Sequence, residues 1–377
     1  MRIAFYAPLK PPSHPVPSGD RRMSRLLLLA LRRAGHRVEV ASRLRSRDGT
    51  GDSARQARVA RAGAATAQRL IQRYRKRPAA ERPRVWMTYH LYYKAPDWLG
   101  PAVSAALGIP YVAVEASVAG KRAEGSWADG HRATLEALAH AAAVIAVNPA
   151  DVAALPDPGR VHLLPPFLDP APFRAAVQAR ESNRAAFAKQ LGIAAAPPWL
   201  LAVAMMRPGD KLTSYRQLAT ALAGLADRPW RLLIAGDGAA RPEVERAFAW
   251  APPERVQFLG ALPGAALPAL YAACDVLVWP AHNEAYGMAL LEAQAAGLPV
   301  LAGASGGVAA IVRDGRTGVL TPPGDTNAFA AALDGLLADP ARRRTMAEAA
   351  EATVAAAHGI DRAAARLDEI LNRVTAP

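Results

Sequence analysis

The chain has 377 residues, 51% of them apolar, which is enough for two ordinary domains with a core each. One cysteine, Cys274, excludes an internal disulfide framework and a cysteine-based zinc cluster. No apolar run approaches the roughly 18 residues of a membrane span. The formal charge of +14 is concentrated early: residues 21–84 carry nineteen basic and four acidic side chains, a field that favours an anionic partner.

In chain order, 3–7 reads as a short apolar strand followed by Pro-rich sequence, without the long apolar core of a secretory signal. A helix over 20–33 ends at Gly35, and 37–41 alternates as a strand. Residues 53–77 form a long basic helix with Val59, Leu70, Ile71 and Tyr74 among its arginines. Strands follow at 85–89, 111–114 and 144–147, with helices at 101–107 and 131–140 between them. Pro-rich 165–172 breaks this rhythm and marks a domain boundary; 179–191 reads as a connecting helix within a linker over 173–198. A second series has strands at 200–205, 231–235, 256–259, 276–279 and 300–302, then helices at 327–337, 342–357 and 361–374. Alternating strands and helices predict two α/β, doubly wound, Rossmann-like domains, 1–172 and 199–357, facing a cleft. The final segment, 358–377, is expected to pack toward the N-terminal domain. The first strand lacks a G-x-G-x-x-G run after it, which argues against a dinucleotide enzyme of the usual kind.

The most informative stretch is 279–300, WPAHNEAYGMALLEAQAAGLPV. A strand ends at Pro280, a polar loop follows, and a helix is expected from Tyr286–Gly287 to Ala296, with Gly297 as its C-terminal cap. A helix start offers unpaired N–H groups and partial positive charge, and Gly287 allows a phosphate to approach the backbone. Glu292, further along the helix, can accept hydrogen bonds from two adjacent ribose hydroxyls. Glu284, in the loop, can meet a sugar beyond the phosphates. The alternative for both glutamates is a solvated surface position.

This segment resembles the E-x7-E signature of retaining GT-B glycosyltransferases of family GT4, with Glu284 and Glu292 at the two glutamate positions. Tyr286, Gly287 and Met288 match positions whose backbone meets the donor phosphates; Ala285 stands where Gly or Ser is frequent. Gly236-Asp237-Gly238, Phe258-Leu259-Gly260, Gly306-Gly307-Val308, Asp314-Gly315 and Gly318 extend the likeness, strongest over 199–346. The resemblance implies a nucleotide-sugar donor site in the C-terminal domain and an acceptor side in the N-terminal one. It implies that Arg207 and Lys211, in the loop after the strand at 200–205, stabilise a diphosphate leaving group. Their spacing of four is one shorter than is frequent. It also implies that Glu284 orients the sugar, and that neither a cofactor nor a metal is required. Gly238 and the neighbouring 260–262 loop would meet the base.

The N-terminal half is less specific. Gly19 resembles the family's phosphate-approaching glycine and also suits a simple turn. His90 and Glu115 stand at strand ends and are candidate acceptor-side groups; Glu115 occupies a place where histidine is usual in the family. Tyr89, Tyr92, Tyr93 and Trp98 suit either stacking on an acceptor sugar or edge packing. The basic helix 53–77 suits either solvent or an anionic membrane surface. The reading that follows is a cytoplasmic glycosyltransferase, peripheral at the membrane, using a UDP- or GDP-sugar and a sugar or lipid-linked acceptor in cell-envelope glycan or glycolipid synthesis. A sugar-nucleotide epimerase and a basic nucleic-acid-binding protein are the alternatives; the second lacks any nucleic-acid-binding motif, so no nucleic-acid partner is expected.

Overall fold

The structure, a computed structural model, describes residues 1–16 and 18–376. It divides into two compact units, 1–165 with 360–377, and 166–359.

The first unit runs β1 (Arg2–Tyr6), α1 (Gly19–Arg33), β2 (Arg37–Val40), α2 (Ser53–Arg75), β3 (Val85–Leu91), α3 (Gly100–Leu107), β4 (Tyr111–Ala116), α4 (Ala128–His140), β5 (Ala143–Ala146) and β6 (Val161–Leu163). All strand pairs are parallel, in the order β2-β1-β3-β4-β5-β6. β1, β3 and β5 read as near-continuous apolar runs because helices cover both faces of a parallel sheet. α1 starts where the Ser18 hydroxyl accepts from the Arg21 N–H at 3.2 Å, satisfying a helix-end donor. α2 is capped in the same way by Asp52, which accepts from the Arg55 N–H. Gly63, Ala67, Leu70, Ile71 and Tyr74 of α2 share a helical face and are buried, while Arg58, Arg61 and Arg69 are exposed.

The second unit runs α5 (Ala171–Gln178), α6 (Arg180–Leu191), β7 (Trp199–Val203), α7 (Asp210–Ala223), β8 (Arg231–Ala235), α8 (Arg241–Ala247), β9 (Val256–Gly260), α9 (Leu267–Ala273), β10 (Val276–Trp279), α10 (Met288–Ala295), β11 (Val300–Gly303), β12 (Gly318–Thr321), α11 (Thr326–Ala338) and α12 (Pro340–Thr353). Its parallel sheet has the order β12-β11-β10-β7-β8-β9. The segment expected as a linker forms α5 and α6, which pack on α9 within this unit. Arg180 and Arg184 each reach the Asp275 carboxylate at 2.9 Å, and the Trp199 N–H donates to it at 2.7 Å. Cys274 beside it is fully buried, as a small core residue would be.

The last helix, α13 (Ile360–Val374), belongs to the first unit. It packs on α1, burying Leu367, Ile370 and Leu371, and Asp361 bonds Arg33 at 2.6 Å. Each unit therefore has the expected doubly wound architecture, with one strand more than expected: β6 and β12. No helix among the described residues is long and apolar enough to cross a membrane.

Candidate functional site

In an open parallel sheet the crevice for a ligand lies outside the carboxyl ends of the strands where the strand order reverses. In the second unit that reversal falls between β7 and β10, which are neighbours. The chain leaving β7 carries Arg207 and Lys211; the chain leaving β10 carries Glu284 and leads into α10.

Lys211 lies in the first turn of α7 rather than in the loop before it. Its Nζ bonds the Glu284 Oε2, and the same oxygen accepts from the Trp279 indole N–H at 3.1 Å. The ammonium also lies 5.3 Å from the Trp279 ring centre, within cation–π range. Both charged side chains are largely covered, 22% exposed for Lys211 and 15% for Glu284, so Glu284 is not a solvated surface acid. The loop 280–287 is pinned to α7: the His282 N–H donates to Ser214 Oγ at 3.0 Å, and Asn283 Nδ2 donates to Asp210 at 3.1 Å. Ala281 and Asn283 hold left-handed backbone, φ 57° and 45°, a conformation that non-glycine residues adopt only where the surroundings enforce it.

Two further backbones wall this loop. A Cβ at Gly306 would collide with the Glu284 carbonyl, and the Gly307 N–H donates to the Ala285 carbonyl at 3.0 Å. Arg207 is exposed and has no ion-pair partner among the described residues. Its loop is held against the chain after β8: the Met206 N–H donates to the Asp237 carbonyl at 2.9 Å, and a Cβ at Gly238 would collide with the Met206 carbonyl. Gly238 thus sets the position of the segment bearing Arg207.

α10 begins one residue later than expected, at Met288, after Gly287 in left-handed conformation at φ 72°. No side chain caps it; the Leu290 and Leu291 N–H groups turn back to the Gly287 carbonyl, at 2.8 and 3.3 Å. Glu292, in the second turn, is 3% exposed. Trp279, Asp210 and Ser214 complete the arrangement and were not singled out in the sequence; the Gly306–Gly307 pair was noted there only as part of the likeness, with no role against this loop.

In the first unit the order reverses between β1 and β3. Gly19 is the first residue of α1, after β1, and a Cβ there would meet nothing within 4 Å. His90 and Glu115 lie within β3 and β4, not beyond their ends. Tyr89 pairs with Val114 and Leu91 with Ala116, so His90 and Glu115 stand opposite one another. Both are left-handed, φ 65° and 56°, at a cost on the order of 1 kcal/mol each. His90 Nδ1 lies 3.3 Å from Asp20 Oδ1, an ion-pair contact rather than a well-aligned hydrogen bond, and 3.5 Å from Glu115 Oε1. Burial opposes a charged imidazole, but the Glu115 and Asp20 carboxylates outweigh it and raise the His90 pKa above its ordinary value. Burial raises Glu115, partly offset by His90. Burial would also raise Asp20, but His90 overrides it and Asp20 is lowered. Asp20, adjacent to Gly19, was not foreseen as part of this group.

Residues 184–353 match the family model described as Glycosyl transferases group 1. That span lies within the second unit and contains Arg207, Lys211, Gly238, Glu284, Tyr286, Gly287, Met288 and Glu292. The D-inositol 3-phosphate glycosyltransferase of Salinispora arenicola is 35% identical over 206 residues, 52% of this chain and 45% of that protein. The protein of the same name from Nocardia farcinica is 36% identical over 199 residues, 50% of this chain and 42% of that one. The chain thus spans less than half the length of these curated relatives. Solved structures match nearly end to end. Anabaena HepE in complex with UDP has a TM-score of 0.73 at 19% identity, covering 99% of this chain and 100% of that one. A glycosyltransferase from Rickettsia africae has a TM-score of 0.77 at 16% identity, covering 99% and 98%. The fold is therefore that of the GT-B glycosyltransferases, two Rossmann-like units each with six parallel strands.

Proposed function

We propose that the chain is a metal-independent, retaining glycosyltransferase that moves a sugar from a UDP- or GDP-linked donor to an acceptor hydroxyl. The observation that carries this reading is the Lys211–Glu284 pair over Trp279 at the strand-order reversal of the second unit, beside the uncapped start of α10. The family match over 184–353 and the Anabaena neighbour solved with UDP-glucose support the same chemistry.

In this reading the donor diphosphate lies against Gly287 and Met288 at the start of α10, with Tyr286 beside it, where backbone N–H groups favour anions. As the glycosidic bond breaks, negative charge grows on the departing phosphate. Arg207 and Lys211 stabilise it without a metal: Arg207 as a planar fork and Lys211 as a compact charge. The diphosphate competes with Glu284 for Lys211, which frees Glu284 to orient the transferred sugar through its hydroxyls. Glu292 takes the ribose hydroxyls, and the Gly238 backbone adjoins the base. The acceptor hydroxyl attacks from the face the phosphate leaves and passes its proton to the departing oxygen, so the anomeric configuration is kept.

The acceptor is assigned to the first unit, where Gly19 opens onto free space and His90 and Glu115 supply paired polar groups. A sugar or lipid-linked acceptor in cell-envelope glycan or glycolipid synthesis suits the exposed arginines of α2, which would hold the protein at the cytoplasmic face of an anionic membrane.

The test is incubation with a panel of UDP- and GDP-sugars, with and without candidate acceptors. Release of nucleoside diphosphate that depends on acceptor, with an unchanged anomeric configuration by NMR, is the expected result. Isomerised or hydrolysed donor in the absence of acceptor would replace this reading with an epimerase.

A further inference from the structure

The polar pair in the first unit continues into a run of rings. The His90 and Tyr92 ring centres are 5.2 Å apart, Tyr92 and Tyr93 5.5 Å, and Tyr93 and Trp127 5.9 Å, each edge to face. At the far end two cations share the last two rings. Lys94 Nζ lies 5.6 Å from the Tyr93 ring centre and 4.9 Å from that of Trp127. The Arg122 guanidinium lies 5.5 Å and 5.1 Å from the same two. Neither cation has a carboxylate partner among the described residues. The Arg122 Nε and the Trp127 Nε1 are buried and find no acceptor within the protein.

The frame beneath these side chains is interlocked. The Asp48 N–H donates to the Lys94 carbonyl at 2.8 Å, and Gln56 Nε2 donates to the Ser126 carbonyl at 2.9 Å. The Gly130 backbone lies so close to the Tyr93 carbonyl that a Cβ would collide with it. Two positive charges over the same two rings, with two unsatisfied donors beside them, favour one class of ligand. Oxyanions accept charge-assisted hydrogen bonds, and a buried donor is costly until it has an acceptor.

We propose that Lys94, Arg122 and the Trp127 indole N–H form a subsite for an anionic group, a phosphate or carboxylate, carried by the acceptor. Tyr92 and Tyr93 cover the sugar that joins this group to the hydroxyl presented near His90. The subsite rests on the reading of the first unit as the acceptor side, and it makes the preferred acceptor an anionic glycan or glycolipid rather than a neutral sugar.

Calorimetric titration of the full chain tests it, with UDP present at saturation so that phosphate does not report on Arg207 and Lys211. The probes are inorganic phosphate, glucose 6-phosphate, glucuronate and glucose, with phosphatidylinositol vesicles as a separate arm. Anionic probes are expected to bind at least tenfold more tightly than glucose. Lys94→Ala and Arg122→Ala should each weaken them tenfold or more, Arg122→Lys should retain most of the affinity, and Trp127→Phe, which keeps a ring but loses the N–H, should weaken them several-fold. Vesicle binding lost in the same variants assigns the anion to a lipid headgroup; losses confined to the soluble probes assign it to a free acceptor. Equal affinity for charged and neutral probes, or anion binding unchanged in both alanine variants, overturns the subsite. Failure of the wild type to bind UDP counts instead against the donor reading and is read separately, from the UDP titration that precedes the probes.

Discussion

Lys211 and Glu284 are 73 positions apart in the chain and meet through a hydrogen bond on the indole of Trp279. The two elements that carry them, α7 and the loop after β10, are brought side by side because β7 and β10 are neighbouring strands. A charged pair this well covered is held in one geometry, which is what its proposed role beside a diphosphate requires.

Removing the ammonium tests that role directly. Lys211→Ala is expected to lower kcat/KM by about 10²–10³-fold, the loss typical when one preorganised charge-stabilising donor is deleted. Lys211→Arg should recover only part of it, because a planar guanidinium does not replace a compact ammonium. Steady-state kinetics with the preferred donor checks both, and a circular-dichroism melt separates this loss from unfolding.

Gly238→Ala should act through backbone position. The added Cβ collides with the Met206 carbonyl, so the segment bearing Arg207 must shift. Overpacking of this kind costs about 1–3 kcal/mol. The expected result is a lower melting temperature together with weaker UDP binding. Weaker binding at unchanged stability would instead place Gly238 in direct contact with the nucleotide.

The His90 group predicts a pH dependence of stability. Its folded pKa is raised above the ordinary value near 6.5 because the carboxylates outweigh burial. The stabilisation from charged His90 is therefore fully present below about 6.5 and is lost as pH rises through the raised folded value. His36, His162 and His358 are pushed down, chiefly by burial, and carry the opposite slope. The urea midpoint of wild type minus that of His90→Gln isolates the effect. This difference should fall as pH rises above about 6.5; a flat difference would mean His90 stays neutral.

The exposed face of α2 predicts salt-sensitive membrane binding. Arg58, Arg61 and Arg69 point away from the buried face, and each basic group near anionic lipid contributes about 1 kcal/mol. The triple change to Gln should weaken sedimentation with phosphatidylserine vesicles by an order of magnitude or more, while neutral vesicles show no difference. Donor turnover in solution should be unaffected.

Much of the fold was readable where apolar runs are long and bounded, as at β3 and β10. β6 and β12 were not: Val161–Leu163 is three half-exposed residues, and Gly318–Thr321 opens on glycine. A short strand of this kind owes its conformation to its neighbour, here β5 and β11, rather than to its own residues. The second-unit site was legible in part because Glu284, Gly287 and Glu292 lie on one continuous segment. Trp279 under Lys211, and the stapling of 282–283 to α7, arise from strand order and carry no local sign. His90 and Glu115 were found as strand-end polar residues. Their left-handed backbones were not, since neither residue type announces that conformation as glycine does.

The return of α13 to α1 has a consequence for biosynthesis. The first unit contains both ends of the described chain, with the whole of 166–359 between them. A ribosome therefore completes the second unit before α13 has been made, and the part of α1 that α13 covers stays open through that interval. A premature stop at residue 360 would leave every residue of the second unit present, yet the defect would appear at the opposite end of the message, in the unit that was translated first.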